Sequence, residues 1–266
     1  RLAPASLTKL MSAYAIFRAL DEGQIALDDM VAVSEKAWRT QGSRMFIEVG
    51  SSVSVEDLLL GMIVQSGNDA SVALAEHSAG SESVFAQMMN QHAAELGMHS
   101  SHFRNSTGLP AKDHVSTARD LATLARALVR DFPEYYKLHA VREFTYNDIK
   151  QNNRNSLLWR DDSVDGLKTG HTADAGYCLV ASAERDGMRI ISVVLGTAST
   201  KTRADGSQAV INYGFNFFET RLLFKAGQEI STARVWKSAA ETSRLGLLED
   251  LYITIRRGTY DSLDSQ

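Results

Sequence analysis

Residues 164–197 read VDGLKTGHTADAGYCLVASAERDGMRIISVVLGT, and this stretch decides the fold because its runs have strand length and strand composition. Leu167 to His171, Gly176 to Ala183 and Met188 to Leu195 are three strands, and Asp186-Gly187 between the last two is a hairpin signal. Toward the N-terminus the spacing becomes helical. Leu10, Tyr14 and Phe17 recur on one face between Ser6 and about Leu20, with Pro4 ahead and Gly23 behind, so a buried helix starts at Ser6. Ser54 and Asp57 form a capping box before Leu58, Leu59, Met62 and Ile63, and that helix stops near Ser66-Gly67-Asn68. Further helices run from Asn68 to near Gly80, from Ser83 to Leu96 with Gly97 as its stop, and from the Thr117/Asp120 capping box to about Asp131. Beyond the strands, Gln208 to Leu223 returns to helical spacing through Val210, Tyr213, Phe217 and Leu222. From Lys225 the pattern is short and β-like, with Tyr252 and Thr254 alternating against Ile253 and Ile255. A helical block ahead of an antiparallel sheet is α+β rather than a βαβ series. The boundary is placed near 224, giving domains 1–224 and 225–266.

Composition narrows the chemistry. The 266 residues are 44% hydrophobic and 23% charged, enough for one large core and a smaller second domain. A net charge of −4 offers no footprint for a polyanion, so nucleic acid is not expected as a partner. No run approaches the roughly 18 apolar residues of a membrane span. The chain starts at Arg1 without a charged-then-apolar leader, so an export signal is expected upstream or already removed. A single cysteine, Cys178, rules out an internal disulfide and a four-cysteine zinc site, and its apolar run marks it as a small buried hydrophobe. There is no His-Glu-x-x-His pair, no metal-spaced histidine cluster and no glycine-rich phosphate loop, so neither metal nor cofactor is expected.

Three short patterns carry chemistry. Ser6-Leu7-Thr8-Lys9 puts a hydroxyl and an amine one helical turn apart, a nucleophile with a base in reach. Burial and the neighbouring cation Lys168 are expected to depress the Lys9 pKa far enough for that work. Ser66-Gly67-Asn68 sets a second hydroxyl and an amide in a turn between two helices, and Lys168-Thr169-Gly170 lies on the first strand. Each of the first two is expected about once by chance in a chain this long, and the third far less often. Taken singly they read as a helix cap, a helix stop and a strand end. Their conjunction, each once and in this order, is the motif set of penicillin-binding proteins and class A β-lactamases.

On these motifs, and on Pro4 to Lys9, Gln65 to Ala70, Thr117 to Asp120, Arg154 to Trp159 and Val164 to Thr172, the chain resembles the low-molecular-mass D-alanyl-D-alanine carboxypeptidases over nearly its whole length. The resemblance implies a β-lactamase or penicilloyl-serine transferase-like domain, helices on a five-stranded antiparallel sheet, followed by a small β-rich domain. It implies Ser6, Lys9 and Ser66 as catalytic residues, with the N–H groups of Ser6 and His171 holding the oxyanion and Ser66 between Lys9 and Lys168. It places Asn68, Lys168, Thr169, Gly170, His171 and Arg203 at the substrate, Asn68 on the donor amide and Thr169, His171 and Arg203 around its terminal carboxylate. Asp131 and Arg154 are expected as a structural ion pair bracing the loop that faces the site. The implied partners are a peptidoglycan stem ending in D-Ala-D-Ala and β-lactams as covalent inhibitors, with the chain in the periplasm at the outer face of the inner membrane. Relatives carry further residues ahead of the motif serine, which build the first sheet strands, and an amphipathic C-terminal helix for the membrane surface. This chain begins five residues before Ser6 and lacks that helix, so part of the sheet and the end of the β-rich domain are expected to be missing.

Two alternatives share the motifs. A class A β-lactamase needs a deacylating glutamate, yet no Glu-x-x-Leu-Asn occurs and Leu96 to Lys112 holds no acid, while Gly67 stands where β-lactamases usually carry Asp. A penicillin-sensing receptor domain would acylate once and signal, and turnover of a D-Ala-D-Ala peptide separates it from an enzyme.

Overall fold

The computed structural model describes residues 1–237 and 241–263, so the last three residues of the 225–266 span lie outside the described residues. In chain order, a 3₁₀ turn Ala5–Leu7 leads into α1 (Thr8–Asp21), β1 (Met30–Ala32), α2 (Glu35–Arg39), β2 (Ser52–Ser54), α3 (Val55–Val64), α4 (Asn68–Ala79) and α5 (Glu82–Glu95). Then come α6 (Ala118–Asp131), α7 (Pro133–Tyr136), β3 (Glu143–Tyr146), β4 (Ile149–Asn152), α8 (Leu157–Arg160), β5 (Val164–Thr172), β6 (Gly176–Arg185) and β7 (Met188–Thr197). The chain continues with α9 (Thr200–Phe217), β8 (Phe218–Phe224), β9 (Ser231–Arg234), β10 (Thr242–Leu245) and β11 (Leu251–Arg256).

Two compact units divide the chain. The first comprises residues 1–184 and 189–211, the second residues 185–188 and 212–266. In the first unit α1 is the central element, buried on nearly every side and in contact with α3, α4, α5, α6 and β5. Its apolar positions run around the whole helix, as expected of a helix with no solvent face. Leu10, Met11, Ile16 and Phe17 meet Leu58, Leu59 and Met62 of α3 and Leu121, Leu124 and Leu128 of α6 in one core, with the Phe17 ring stacked on Tyr135. Both expected caps form, the Ser54 hydroxyl accepting from Asp57 N at 3.1 Å and Thr117 from Asp120 N at 3.1 Å. The Asp120 carboxylate turns away from its own helix to accept from Ser100 N and Ser101 Oγ, which anchors the loop after α5.

Among the described residues the central sheet has three antiparallel strands, β5-β6-β7, where the resemblance implies five. The β6–β7 turn carries positive φ at both Asp186 and Gly187, as the hairpin signal requires. Other sequence expectations shift. The helix expected over Gln208–Leu223 begins earlier, at Thr200, and ends at Phe217, because Phe218–Phe224 pairs as a strand with β11. Aromatic and β-branched residues there fit either structure, and the partner strand decides. The boundary expected near 224 falls at the end of that strand, whereas the compact units divide within α9. Within the second unit Ile253 and Ile255 are half-buried and Tyr252 and Thr254 exposed, the alternation read from the sequence.

Two buried histidines make the first unit acid-sensitive. His114 bonds Thr8 Oγ1 at 2.8 Å, and burial, reinforced by His102 and Arg104, lowers its pKa to about 4. Burial likewise lowers fully enclosed His139 to about 4, with Lys168 adding to the effect. Between pH 6.5 and about 4 the unfolded chain therefore binds protons that the folded chain does not, so stability falls as pH falls through this window, by roughly 3 kcal/mol per histidine. Thermal melts across pH 4–7 should show this slope, and His114→Gln should flatten it; an unchanged slope would remove His114 from the account.

Candidate active site

The 3₁₀ turn holds Ser6 just ahead of α1 instead of within it, with Ala5 at φ +48° and Leu7 N donating to Pro4 O at 3.1 Å. Strand β5 presses on this turn. A Cβ on Gly170 would stand 3.0 Å from Pro4 O and 3.2 Å from Leu7 N, so a residue without a side chain lets the Lys-Thr-Gly strand reach the serine. On the other side Gly108, at φ +83°, lies against Ala5 O.

Lys9 is 1% exposed and makes three contacts. Its Nζ donates to Asn68 Oδ1 at 2.6 Å and to Thr107 O at 2.7 Å, and stands 3.3 Å from Ser6 Oγ. A neutral amine has two N–H bonds and one lone pair. With both N–H bonds directed to carbonyl oxygens, the lone pair is left for the Ser6 hydroxyl. Burial, followed by the Arg154 guanidinium, lowers the Lys9 pKa to about 7, while Asp69 and Glu82 pull it upward. Arg154 is thus a second cation acting on Lys9, beside the expected Lys168, with which Lys9 is coupled. Lys168, 2% exposed, is itself held well below its ordinary value by burial and by Lys9, Arg154 and Arg203, and its Nζ donates to Thr169 O at 3.3 Å.

The second motif is shaped by the backbone. Ser66 sits at φ +67° between α3 and α4, with Gly67 N donating to Gly61 O and Asn68 N to Ser43 O at 2.7 Å. Asn68 spans the site, taking Lys9 on Oδ1 and donating through Nδ2 to Gln41 O at 2.6 Å, so its first task is orienting the base. Buried Asp69 beside it accepts from Met45 N, Phe46 N and Ala70 N at 2.9–3.0 Å and ties the loop before β2 to α4.

These elements enclose a pocket of about 250 Å³ lined by Ser6, Ser43, Ser66, Arg154, Thr169, Gly170, His171, Tyr177, Thr200 and Arg203. It brings together Ser6, Ser66, the β5 edge and Arg203, with Lys9 directly beneath Ser6. Arg203 donates weakly to Gly170 O at 3.4 Å and lies over the Tyr177 ring, which also packs against His171. It does not bring together Asp131 and Arg154. Asp131 bonds Arg130 and the Tyr14 hydroxyl at the end of α6, whereas Arg154 lines the pocket. The adjacent Arg130 satisfies the carboxylate, so the expected ion pair does not form among the described residues. Sequence reasoning missed Ser43, Thr107, Tyr177 and Thr200, which belong to no motif. It also missed that Arg154 faces the pocket, although buried asparagines on either side, Asn153 and Asn155, are a pattern that fixes a loop. Cys178 is buried, as expected, and no group of three or more metal-ligating side chains occurs among the described residues.

Comparison with known proteins agrees with this geometry. The sequence profile described as D-alanyl-D-alanine carboxypeptidase matches residues 1–199, and that of the C-terminal domain of penicillin-binding protein 5 matches residues 218–266. The chain is 46% identical to D-alanyl-D-alanine carboxypeptidase DacC of Escherichia coli over 99% of its own length and 68% of that protein; the chain thus spans about two thirds of this relative. Penicillin-binding protein 5 from Haemophilus influenzae superposes with a TM-score of 0.92 at 44% identity, covering 97% of this chain and 77% of that one. Penicillin-binding protein D2 from Listeria monocytogenes, in its ampicillin-bound form, superposes with a TM-score of 0.74 at 33% identity over 80% of this chain and 87% of that one. With a buried lysine under a serine, a Ser-x-Asn turn beside it and a Lys-Thr-Gly strand across the pocket, all within the residues the profile matches, the chain belongs to the D-alanyl-D-alanine carboxypeptidase family.

Proposed function

We propose that residues 1–224 carry a serine-type D-Ala-D-Ala carboxypeptidase activity that removes the terminal D-alanine from peptidoglycan stem peptides in the periplasm, and that residues 225–266 belong to a β-rich domain. The observation that carries this reading is Lys9, buried, with both amine N–H bonds occupied and its remaining face 3.3 Å from Ser6 Oγ.

Ser6 Oγ attacks the carbonyl carbon of the penultimate D-Ala while its proton passes to Lys9 Nζ. The N–H groups of Ser6 and His171 hold the oxyanion. The C–N bond then breaks, and the proton reaches the departing amine through Ser66, giving free D-alanine and an ester on Ser6. Water attacks that ester, with Lys9 taking its proton, and Ser6 is restored. Thr169, His171 and Arg203 orient the terminal carboxylate. A β-lactam enters the same steps and stops at the ester. The pocket lining contains no carboxylate to drive fast deacylation, so steady-state β-lactam hydrolysis should be slow.

Incubation with penicillin followed by peptide mass spectrometry should find one adduct per chain, on Ser6, and Ser6→Ala should carry none. An adduct on any other residue would sink the assignment. Release of D-alanine from a D-Ala-D-Ala peptide tests the turnover itself; acylation without release would favour the penicillin-sensing alternative.

A further inference from the structure

No acidic residue lines the pocket of Ser6, yet a carboxylate stands directly behind the backbone that holds the base. Thr107 O, which takes a Lys9 N–H at 2.7 Å, belongs to a segment whose polar atoms are all engaged. Gly108 N, across the same peptide bond, donates to Asn105 Oδ1 at 2.8 Å, and Thr107 N donates to the same oxygen at 3.2 Å, so the carbonyl cannot turn from Lys9 without breaking these bonds. On the preceding peptide, Ser106 O accepts from Ser12 Oγ of α1 at 2.7 Å and from Ser71 Oγ of α4 at 2.8 Å. The rest of Ser106 goes to Glu82 of α5. Ser106 N and Oγ both donate to Glu82 Oε1, at 3.1 and 2.9 Å, in a residue that is 0% exposed. Without that oxygen a buried N–H and a buried hydroxyl would lack an acceptor. Exposed Lys36 of α2 meets the other oxygen, Glu82 Oε2, at 2.8 Å. Burial pushes the Glu82 carboxyl up, but the bonds from Lys36 and Ser106 outweigh it and hold the group below its ordinary value, so it is charged throughout the neutral range.

We propose that Glu82 is a positioning residue for the base: it anchors the Ser106–Thr107 segment that aims Thr107 O at Lys9, and its charge supports the protonated amine formed when the Ser6 proton is transferred. This rests on the reading of Lys9 as the base. Glu82 does not line the Ser6 pocket, so it acts through Thr107 and through space. The charged groups facing Lys9 are Asp69 from α4, Glu82 from α5, Lys168 from β5 and Arg154 from the loop after β4, while Glu82 itself faces Lys36 from α2. Against burial and Arg154, the two carboxylates pull the Lys9 pKa upward and leave it at about 7. Asp69 is enclosed by the Met45, Phe46 and Ala70 N–H groups. Glu82 differs in having an exposed partner, so its field at Lys9 can be altered from the surface by removing Lys36.

The test follows penicillin acylation against pH in the full chain, with release of D-alanine from a D-Ala-D-Ala peptide as a second readout. Glu82→Gln keeps an acceptor for Ser106 and removes the charge, so the acylation profile should move to lower pH. Lys36→Met leaves Glu82 charged and takes away a cation, so the profile should move to higher pH. Glu82→Ala removes the acceptor as well, and the plateau rate should fall by about 10- to 100-fold, with kcat on the peptide falling alike and KM changing only a few-fold. A merely structural carboxylate would lower Tm in these variants and leave the midpoint of the profile where it was. Midpoints that stay in place, or that move the same way in Glu82→Gln and Lys36→Met, overturn the proposal, and so does an undiminished plateau in Glu82→Ala. If Glu82→Ala does not fold, the two midpoints decide. Acylation of Lys9→Met at the normal rate, or no acylation of the unsubstituted chain, counts against the reading of the site itself, and the proposal falls with it.

Discussion

Lys9→Arg is expected to abolish acylation by penicillin, with the second-order rate falling by at least about 10³-fold, the upper part of what a general base contributes. Arginine stays protonated at every accessible pH and has no lone pair for the Ser6 proton. Lys9→Met removes the amine without adding a buried charge and should be equally inactive, so the pair of variants separates loss of the base from disturbance of the fold. In the unsubstituted chain the acylation rate should rise with pH through an apparent pKa near 7, shared by the coupled Lys9 and Lys168 pair. The stability consequence has a definite sign. Lys9 has a folded pKa of about 7 against an ordinary lysine value of 10.5. Between these values the unfolded chain binds a proton that the folded chain releases, so this group's contribution becomes more favourable as pH rises from 7 to 10.5 and is least favourable below 7. Acylation of Lys9→Met at more than a few per cent of the normal rate would mean that Ser66 or a water is the base.

Gly108→Ala is expected to remove both stability and activity, although Gly108 touches no substrate. A Cβ there would lie 1.8 Å from Ala5 O and 2.4 Å from Ala5 C, backbone atoms adjoining Ser6, and the residue has φ +83°. Backbone cannot rotate out of the way as a side-chain end can, so the turn carrying Ser6 must shift. Left-handed backbone strain and overpacking together cost about 3 kcal/mol or more, which lowers Tm by on the order of 10 °C in a chain of this size. Displacing the nucleophile by about 1 Å should reduce acylation by about 100-fold. Gly80→Ala is the matched control. Gly80 has φ +73° but nothing within 4 Å of its Cβ direction, so it bears the conformational strain alone, about 1 kcal/mol, with acylation unaffected. Similar losses in the two variants would show that the close approach to Ala5 does not matter.

The order of elements was legible because most of them rest on local rules. Helix α1 repeats apolar residues at helical spacing, Ser54 and Thr117 cap, and Asp186-Gly187 turns, each decided within a few residues. The short pairs β1–β2 and β3–β4 were not read. Their strands have three or four residues, too few for a period, though Asn147 and Asp148, both at positive φ between β3 and β4, are residues that tolerate such a turn. The end of α9 was misplaced for a related reason, since Phe218–Phe224 becomes a strand only through β11, some thirty residues later.

The sequence by itself determined which groups can react. Ser6 and Lys9 are one turn apart on any helix, so the pairing of hydroxyl and amine needs no tertiary information. Only the tertiary structure decided what state that amine is in and what else the pocket contains. Asn68 and Thr107, which receive its two N–H bonds, are 59 and 98 residues away, and its low pKa comes from burial under elements spread over the first unit. Arg154 was read as the partner of Asp131 because the family that the sequence resembles braces the loop facing the site with such a pair. It faces the pocket instead, because Asp131 has a closer cation in Arg130, and Asn153 and Asn155 fix the loop through contacts to residues 141 and 166. Charge and chemical type belong to a residue, whereas desolvation and choice of partner belong to its surroundings, and those form only when distant segments meet.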